Sequence, residues 1–197
     1  ILGIRDGDSF RAKLQQMLPE HEGGVFDMVT SASRTLARAL QDPKAPYKDE
    51  GKWGYYISQV VWGSSKDIDD TAGYDVSGWG ISLGGEIRTN LGDFGASVAY
   101  LGGKNGNAAN ANEVTANQWE GALHWRLASN GFQAQARVSG APISLTGSRF
   151  FDGAANGIAS EKTVRGKWDA KLYSASGSVA YDMSAGGIIL RPSVGVD

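Results

Sequence analysis

Cysteine is absent from the 197-residue chain, which excludes disulfide frameworks, thiolate metal sites and cysteine nucleophiles. Long apolar runs are also missing: none approaches the roughly 18 to 20 residues that a membrane-spanning helix needs, so a helical membrane protein is excluded. Positive charge is not in surplus, because the formal net charge is -2, and binding to nucleic acid is therefore not expected. What the chain does contain is 28 glycines, 6 tryptophans and 7 tyrosines.

The first part of the chain has the pattern of a helix. Between residues 25 and 40, apolar residues recur at helical spacing: Val25, Met28, Val29, Ala32, Leu36, Ala39 and Leu40. The opposite side of this helix carries Arg34 and Arg38, and Pro43 and Pro46 follow its end, where proline cannot continue the backbone ladder. We therefore predict that residues 1–46 form a linker containing one amphipathic α-helix.

From Lys52 onward the period changes to two, which predicts strands. The clearest example sets Trp119, Leu123 and Trp125 on one face against Glu120 and His124 on the other. Seven segments alternate in this way, at residues 53–62, 76–87, 94–100, 118–127, 132–139, 173–181 and 188–196. The fold class is therefore all-β after the helix.

The connections between these segments alternate in length. Residues 90–93, 129–131 and 184–187 have the composition of tight turns, whereas residues 63–75, 102–113 and 140–166 form long connections. Transmembrane barrels show the same alternation, with short periplasmic turns and longer extracellular loops.

A soluble β-sandwich also alternates apolar and polar residues, so the choice of solvent needs other signals. Strands of about ten residues, aromatic residues toward strand ends and a glycine-rich polar face with both charge signs favour lipid. The eight steps from Tyr173 to Tyr181, at about 3.3 Å each and a tilt near 40°, cover roughly 20 Å, close to the apolar band of such barrels.

The sequence thus predicts an antiparallel transmembrane β-barrel over residues 47–197, preceded by an α-helix that threads its lumen. About seven strands are an odd number, whereas bacterial single-chain barrels have even numbers, so we expect more strands after Asp197. The alternatives are a soluble β-sandwich that serves as a binding or adhesion module, and a fragment of a small-solute porin.

The alternation also predicts which residues face the lumen and which face lipid. The expected lumen-facing residues are Glu86, Gln118, Glu120, His124, Arg126, Gln133, Gln135, Arg137 and Arg191. The expected lipid-facing residues are Trp79, Ile81, Leu83, Phe94, Val98, Tyr100, Trp119, Leu123, Trp125, Tyr173 and Tyr181. We further expect Arg34 and Arg38 of the helix to pair with Glu86 and Glu120.

No motif supports catalysis. Gly7-Asp8-Ser9-Phe10 resembles the nucleophile block of lipases in the Gly-Asp-Ser-Leu group, but no downstream Asp-x-x-His follows to activate the serine. We therefore predict a protein that is not an enzyme and that has no catalytic residue, metal or cofactor.

Three stretches carry a family resemblance: Leu18-Pro19 through Gly23-Gly24 leading into the helix, AGYDVSGWGISLGGE at residues 72–86, and LGDFGASVAY at residues 91–100. In these the chain resembles the translocator β-domain of autotransporters, the type V secretion proteins of Gram-negative bacteria. The resemblance implies an outer-membrane barrel of about twelve strands with a helix in its lumen. It also implies three partners: outer-membrane lipid, an N-terminal passenger exported to the cell surface, and the barrel-assembly machinery.

Overall fold

The computed structural model of the chain describes residues 6–8, 10, 23–41, 51–66, 73–107, 112–155, 158–185 and 188–196. Much of the predicted linker therefore lies outside the described residues, including Ser9 and residues 11–22 and 42–50.

Helix α1 occupies Gly24–Gln41, where the spacing of apolar residues predicts a helix. Its hydrogen-bond ladder begins where the Asp27 amide donates to the carbonyl oxygen of Gly23, at 2.9 Å. Asp27 lies in the first turn and Arg38 in the last, so each charge opposes the nearer end of the helix dipole and stabilises the helix. Across the described part of the chain, no helix has both the length and the apolarity to cross a bilayer.

Nine strands follow in the described residues, and their pairing is antiparallel throughout. They are β1 (Trp53–Lys66), β2 (Tyr74–Thr89), β3 (Gly92–Asn107), β4 (Asn112–Ser129), β5 (Phe132–Ala155), β6 (Ile158–Tyr181), β7 (Met183–Ala185), β8 (Ile188–Leu190) and β9 (Ser193–Val196). One sheet has seven strands in the order β1-β2-β3-β4-β5-β6-β9, and β7 pairs with β8 separately. The predicted fold class, an antiparallel all-β domain preceded by a helix, is confirmed.

Several strands are longer than predicted, and the long connections are correspondingly shorter. Residues 140–166, predicted as a connection, are largely paired: β5 and β6 form a hairpin whose last pair is Ala155 with Ile158. The predicted connections at 63–75 and 102–113 likewise lose residues to β1, which ends at Lys66, and to β3, which ends at Asn107. The alternation continues through these residues, but their apolar members change face.

The last predicted strand, residues 188–196, is wrong in part. It is broken at Arg191 and Pro192, so that β8 pairs with β7 while β9 pairs with β6. Proline has no N–H to donate to a ladder, which accounts for the interruption.

The two faces of the seven-stranded sheet are distinguished by α1. We call the face that α1 covers the inner face and the opposite one the outer face. The short-turn end carries the turns at Asn90-Leu91 and Asn130-Gly131, and the loop end is the other end of the strands. Helix α1 runs from the loop end, where Gly24 lies against Asn105, toward the short-turn end, where Ala37 lies near His124 and Arg137.

The face of the sheet that carries the apolar residues changes partway along the strands, near the level of Tyr100. On the short-turn side of that level they are exposed on the outer face, as at Leu83, Val98 and Leu123. On the loop side they are buried on the inner face beneath α1, as at Val76, Leu101, Val114, Ile143 and Leu145. The outer face there is polar, with Lys104, Thr115, Asn117, Ser144 and Thr146.

The helix is held to the inner face mainly by apolar packing. Met28 and Val29 contact the cluster around Val76 and Val114 at the loop end. Ala32 and Leu36 pack closer to the short-turn end, with Tyr56, Val60, Ala99 and Leu101.

Two glycines allow this close approach. A Cβ on Gly24 would lie 2.6 Å from Oδ1 of Asn105, and a Cβ on Gly103 would lie 2.8 Å from Cγ of Met28. Both distances are shorter than real Cβ contacts, so a larger residue at either position would have to displace the facing side chain, Asn105 or Met28.

We predict that Leu36→Ala lowers the free energy of unfolding by about 2 to 5 kcal/mol, because Leu36 is 0% exposed and its removal leaves a cavity between helix and sheet. Denaturant titration of the full-length protein in detergent measures this change. Arg34→Ala, on the exposed side of the same helix, is the control and should shift it by less than about 0.5 kcal/mol. Equal shifts for the two variants would contradict the packing described.

Candidate functional site

Eight of the nine residues predicted to face a lumen lie on the inner face of the sheet. Glu86, Gln118, Glu120 and Arg137 are buried there, and His124, Arg126, Gln133 and Gln135 are partly buried. The strand alternation explains this grouping, since even-numbered residues of β2 and β4 and odd-numbered residues of β5 share one face.

A buried ion pair joins β4 to β5. The guanidinium of Arg137 donates to Glu120, and their side chains are only 5% and 1% exposed. The Gln118 amide donates to the second Glu120 oxygen at 3.3 Å, and Arg137 also donates to the Ser139 hydroxyl at 3.3 Å. Each charge is thus balanced by a neighbour in the wall, which is the condition under which burying it is tolerable.

A second charged cluster joins β2, β3 and β4 near the short-turn end. Glu86 accepts from Arg126, and its other oxygen lies 2.8 Å from Nε2 of His124. Nε of Arg126 also lies 3.8 Å from Oδ2 of Asp93. Four charged or polar side chains from three neighbouring strands are therefore tied together on the inner face.

The expected pairing of Arg34 and Arg38 with Glu86 and Glu120 is not formed. Both arginines are exposed, and the two carboxylates are bound by residues of the strands instead. The physical reason is the orientation of α1, which turns its small and apolar side to the sheet and its arginines away from it. One polar contact that does connect α1 to the wall involves Ser33, whose hydroxyl lies 3.5 Å from that of Ser174.

A recess of about 390 Å³ continues the polar inner face at the short-turn end. Its polar lining comes from Arg88, Asp93, Arg126, Gln133, Gln135 and Ser178. The Gln135 amide donates to the Ser178 hydroxyl at 2.7 Å across the β5–β6 pair. This volume has room for water next to the charged cluster.

Arg191 is the one predicted lumen residue that lies apart from this group. It follows β8 at the short-turn end, is half exposed and binds Asp182, with Nη2 at 2.9 Å from Oδ2. This hydrogen bond holds the pKa of the Asp182 carboxyl below its usual range. The Gln133 amide donates to the same carboxylate at 3.1 Å.

The residues predicted to face lipid all lie on the outer face. Nine of them are exposed: Trp79, Ile81, Leu83, Phe94, Val98, Trp119, Leu123, Tyr173 and Tyr181. Tyr100 and Trp125 are partly buried by contacts on that face. The Tyr100 ring lies 5.2 Å from that of Trp119 and its hydroxyl donates to Asn117 at 2.6 Å, whereas Trp125 donates to the carbonyl of Leu91 at 2.8 Å.

Sequence reasoning missed the residues that seat the helix. Asn105, Val114 and Ile143 lie in or next to stretches predicted as connections, yet they form the inner wall at the loop end. Tyr74 was not singled out either, and its hydroxyl lies 3.4 Å from the Asp27 carboxylate of α1. The available signal was the unbroken period of two, with its polar and apolar faces reversed.

Chemistry other than ion pairing finds little support in this arrangement. Within the described residues, no group of three or more histidine, aspartate or glutamate side chains is placed to hold a metal ion. Ser9, the candidate nucleophile considered from the sequence, lies outside those residues.

We predict that Glu120→Gln lowers the free energy of unfolding by about 3 to 5 kcal/mol, because it leaves Arg137 buried without a counter-charge. Glu113→Gln is the matched control: Glu113 pairs with Lys104 at 2.7 Å, but both are about half exposed, so the loss should stay below about 1 kcal/mol. Denaturant titration of the full-length protein measures both. The double variant Glu120→Gln with Arg137→Gln should recover part of the loss, and no recovery would argue against the pairing.

No curated protein and no solved structure matches the chain. The family described as Autotransporter beta-domain matches residues 58–197, which is most of the chain and all of β2 to β9. The chain belongs to the autotransporter β-domain family.

Proposed function

We propose that this chain supplies part of the wall of a pore that exports an N-terminal passenger to the cell surface, and that α1 remains in the pore as a plug. The family is one of outer-membrane β-barrel domains. The observation that carries the proposal is the position of α1, which lies along the charged inner face and runs from the loop end to the short-turn end. A chain leading from an external passenger to β1 follows that same path.

The proposal assigns a solvent to each face of the sheet. The inner face lines a hydrated lumen, because its charges are paired with one another and border a recess lined by both polar and apolar residues. The outer face contacts acyl chains, because its large apolar side chains are exposed: Trp119 is 58% and Leu123 is 62% accessible. A β-sandwich would need a second sheet over these residues, and none of the described strands covers them.

Hydrocarbon also explains why such a wall must be closed. Lipid offers no hydrogen-bond partner to a peptide group, so the free edges of β1 and β9, and the part of β6 that β9 does not cover, must be paired in the membrane. The proposal therefore includes a closed barrel, with membrane lipid and the barrel-assembly machinery as partners and with no covalent chemistry of its own.

We predict that a dye attached to Val138→Cys is quenched by brominated acyl chains, whereas the same dye on Gln135→Cys is quenched by iodide in water. Val138 lies exposed on the outer face and Gln135 lines the inner recess, three residues away on β5. The chain has no cysteine, so each label is unique within it. Fluorescence of the full-length protein in vesicles measures both, and quenching of both dyes by the same agent would contradict the assignment of the faces.

We predict that an epitope at the N-terminus of the full-length protein is digested by protease added to intact cells, because the passenger leaves through the pore. Immunoblotting of whole cells measures this. An epitope that becomes accessible only after the outer membrane is permeabilised would refute export.

Deletion of α1 separates this function from that of an open porin. With residues 24–41 removed, ion conductance across a planar bilayer should rise, because the plug is lost, while the folded protein still migrates differently before and after boiling. Unchanged conductance would mean that α1 does not occupy the pore.

A further inference from the structure

Three cations lie in a row on the outer face of β6, just beyond its apolar part. Arg165, Lys167 and Lys171 share the parity of Tyr173, so all four side chains lie on one face of the strand. Tyr173 is 76% exposed and is the last large ring on the outer face of this strand before the loop end, since Trp168 has the parity of the inner face. The surface of β6 therefore changes from aromatic to cationic within two residues.

These cations are exposed and have hydroxyl neighbours. Arg165 is paired across the hairpin with Ser148, and Lys167 with Thr146. Within the described residues, Arg165, Lys167 and Lys171 form no ion pair. Guanidinium, ammonium and hydroxyl groups side by side are the donors that bind phosphate oxygens.

Other charged residues on this part of the outer face already have hydrogen-bond or ion-pair partners. Asp169 lies between the two lysines, and its carboxylate accepts a hydrogen bond from Ser144 at 3.0 Å. Lys104 on β3 is paired with Glu113 at 2.7 Å. With one carboxylate among three cations, the row on β6 keeps a net positive charge, whereas the Lys104 pair is neutral.

The distances of the three cations from Tyr173 along the membrane normal indicate which lipid headgroups they can reach. At about 3.3 Å per residue and a tilt near 40°, Lys171 lies roughly 5 Å and Arg165 roughly 20 Å beyond Tyr173 along the membrane normal. Aromatic rings sit at the membrane interface, and a phospholipid headgroup layer is only about 5 to 7 Å thick. All three cations are within reach only of a thicker headgroup with phosphates at several depths.

We propose that Arg165, Lys167 and Lys171 form a binding surface for a phosphorylated glycolipid of the outer leaflet, with the phosphates on its saccharide headgroup as the bound groups. This inference rests on the proposed function, because it needs the outer face in lipid and the loop end outside the cell. The hairpin β5–β6 is then a site of lipid contact as well as a piece of the wall.

The test measures binding of the full-length protein, in neutral detergent with EDTA, to lipopolysaccharide that carries core phosphates. Each cation near an anionic surface contributes about five-fold in affinity, so the variant R165Q/K167Q/K171Q should bind at least about ten-fold more weakly. Lipopolysaccharide stripped of its phosphates should bind the wild-type protein as weakly as the variant binds the intact lipid.

The control variant K52Q/K66Q/K162Q removes the same charge from exposed lysines that lie off this surface. It should bind within about two-fold of the wild-type protein, because general attraction between charges is reduced equally in both variants. A triple variant on β6 that binds like the wild type would overturn the inference. Micelles of phosphatidylglycerol that bind as tightly as lipopolysaccharide would overturn the choice of a glycolipid.

Heat-modifiable migration separates failure of this inference from failure of the proposed function. If the wild-type protein migrates as a closed barrel and the β6 variant keeps its affinity, only the lipid surface is wrong. If the wild-type protein shows no heat-modifiable band, the membrane assignment fails and the lipid surface fails with it.

Discussion

Hydrocarbon cannot hydrogen-bond to a peptide group, and this constraint governs the whole arrangement of the chain. Strands β2 to β5 satisfy it by pairing with neighbours on both sides over nearly their full length, whereas among the described residues β1 is paired on one side only and β6 meets β9 over only four residues. Once the backbone groups are hydrogen-bonded, the side chains are distributed by polarity. Aromatic and branched side chains lie on the outer face, and charged side chains lie on the inner face. Near Tyr100 this distribution reverses, because α1 covers the apolar residues of the inner face on the loop side of that level.

The charges of the inner face are balanced within the wall. Glu86 and Glu120 are bound by His124, Arg126 and Arg137, so the helix is not needed to neutralise them. What α1 contributes is apolar contact along the inner face, together with the hydroxyl contacts of Ser33 with Ser174 and of Asp27 with Tyr74. A wall of this kind carries charged side chains whose charges are compensated within the wall itself.

The sequence predicted the elements that depend on a local pattern. Alternation through Trp119, Leu123 and Trp125 predicts a strand, and Asn130-Gly131 predicts a tight turn. The helical spacing of Met28, Ala32 and Leu36 predicts the helix. The ends of the strands could not be predicted in this way. Val114 and Ile143 continue the alternation on the opposite face, and that reversal makes sense only when α1 is known to cover them. The partners of Glu86 and Glu120 were also missed, because pairing across strands depends on register, which the sequence does not fix over such distances.

The two close contacts of α1 with the wall set its depth. Gly24 lies over Asn105, and Gly103 lies under Met28, with no room for a Cβ at either glycine. A shift of the helix by one turn, about 5.4 Å toward the loop end, would carry Met28 into the position of Gly24 and its Cβ against the side chain of Asn105. Movement of the docked helix in that direction is therefore opposed sterically at this contact, because Met28 would have to displace the Asn105 side chain.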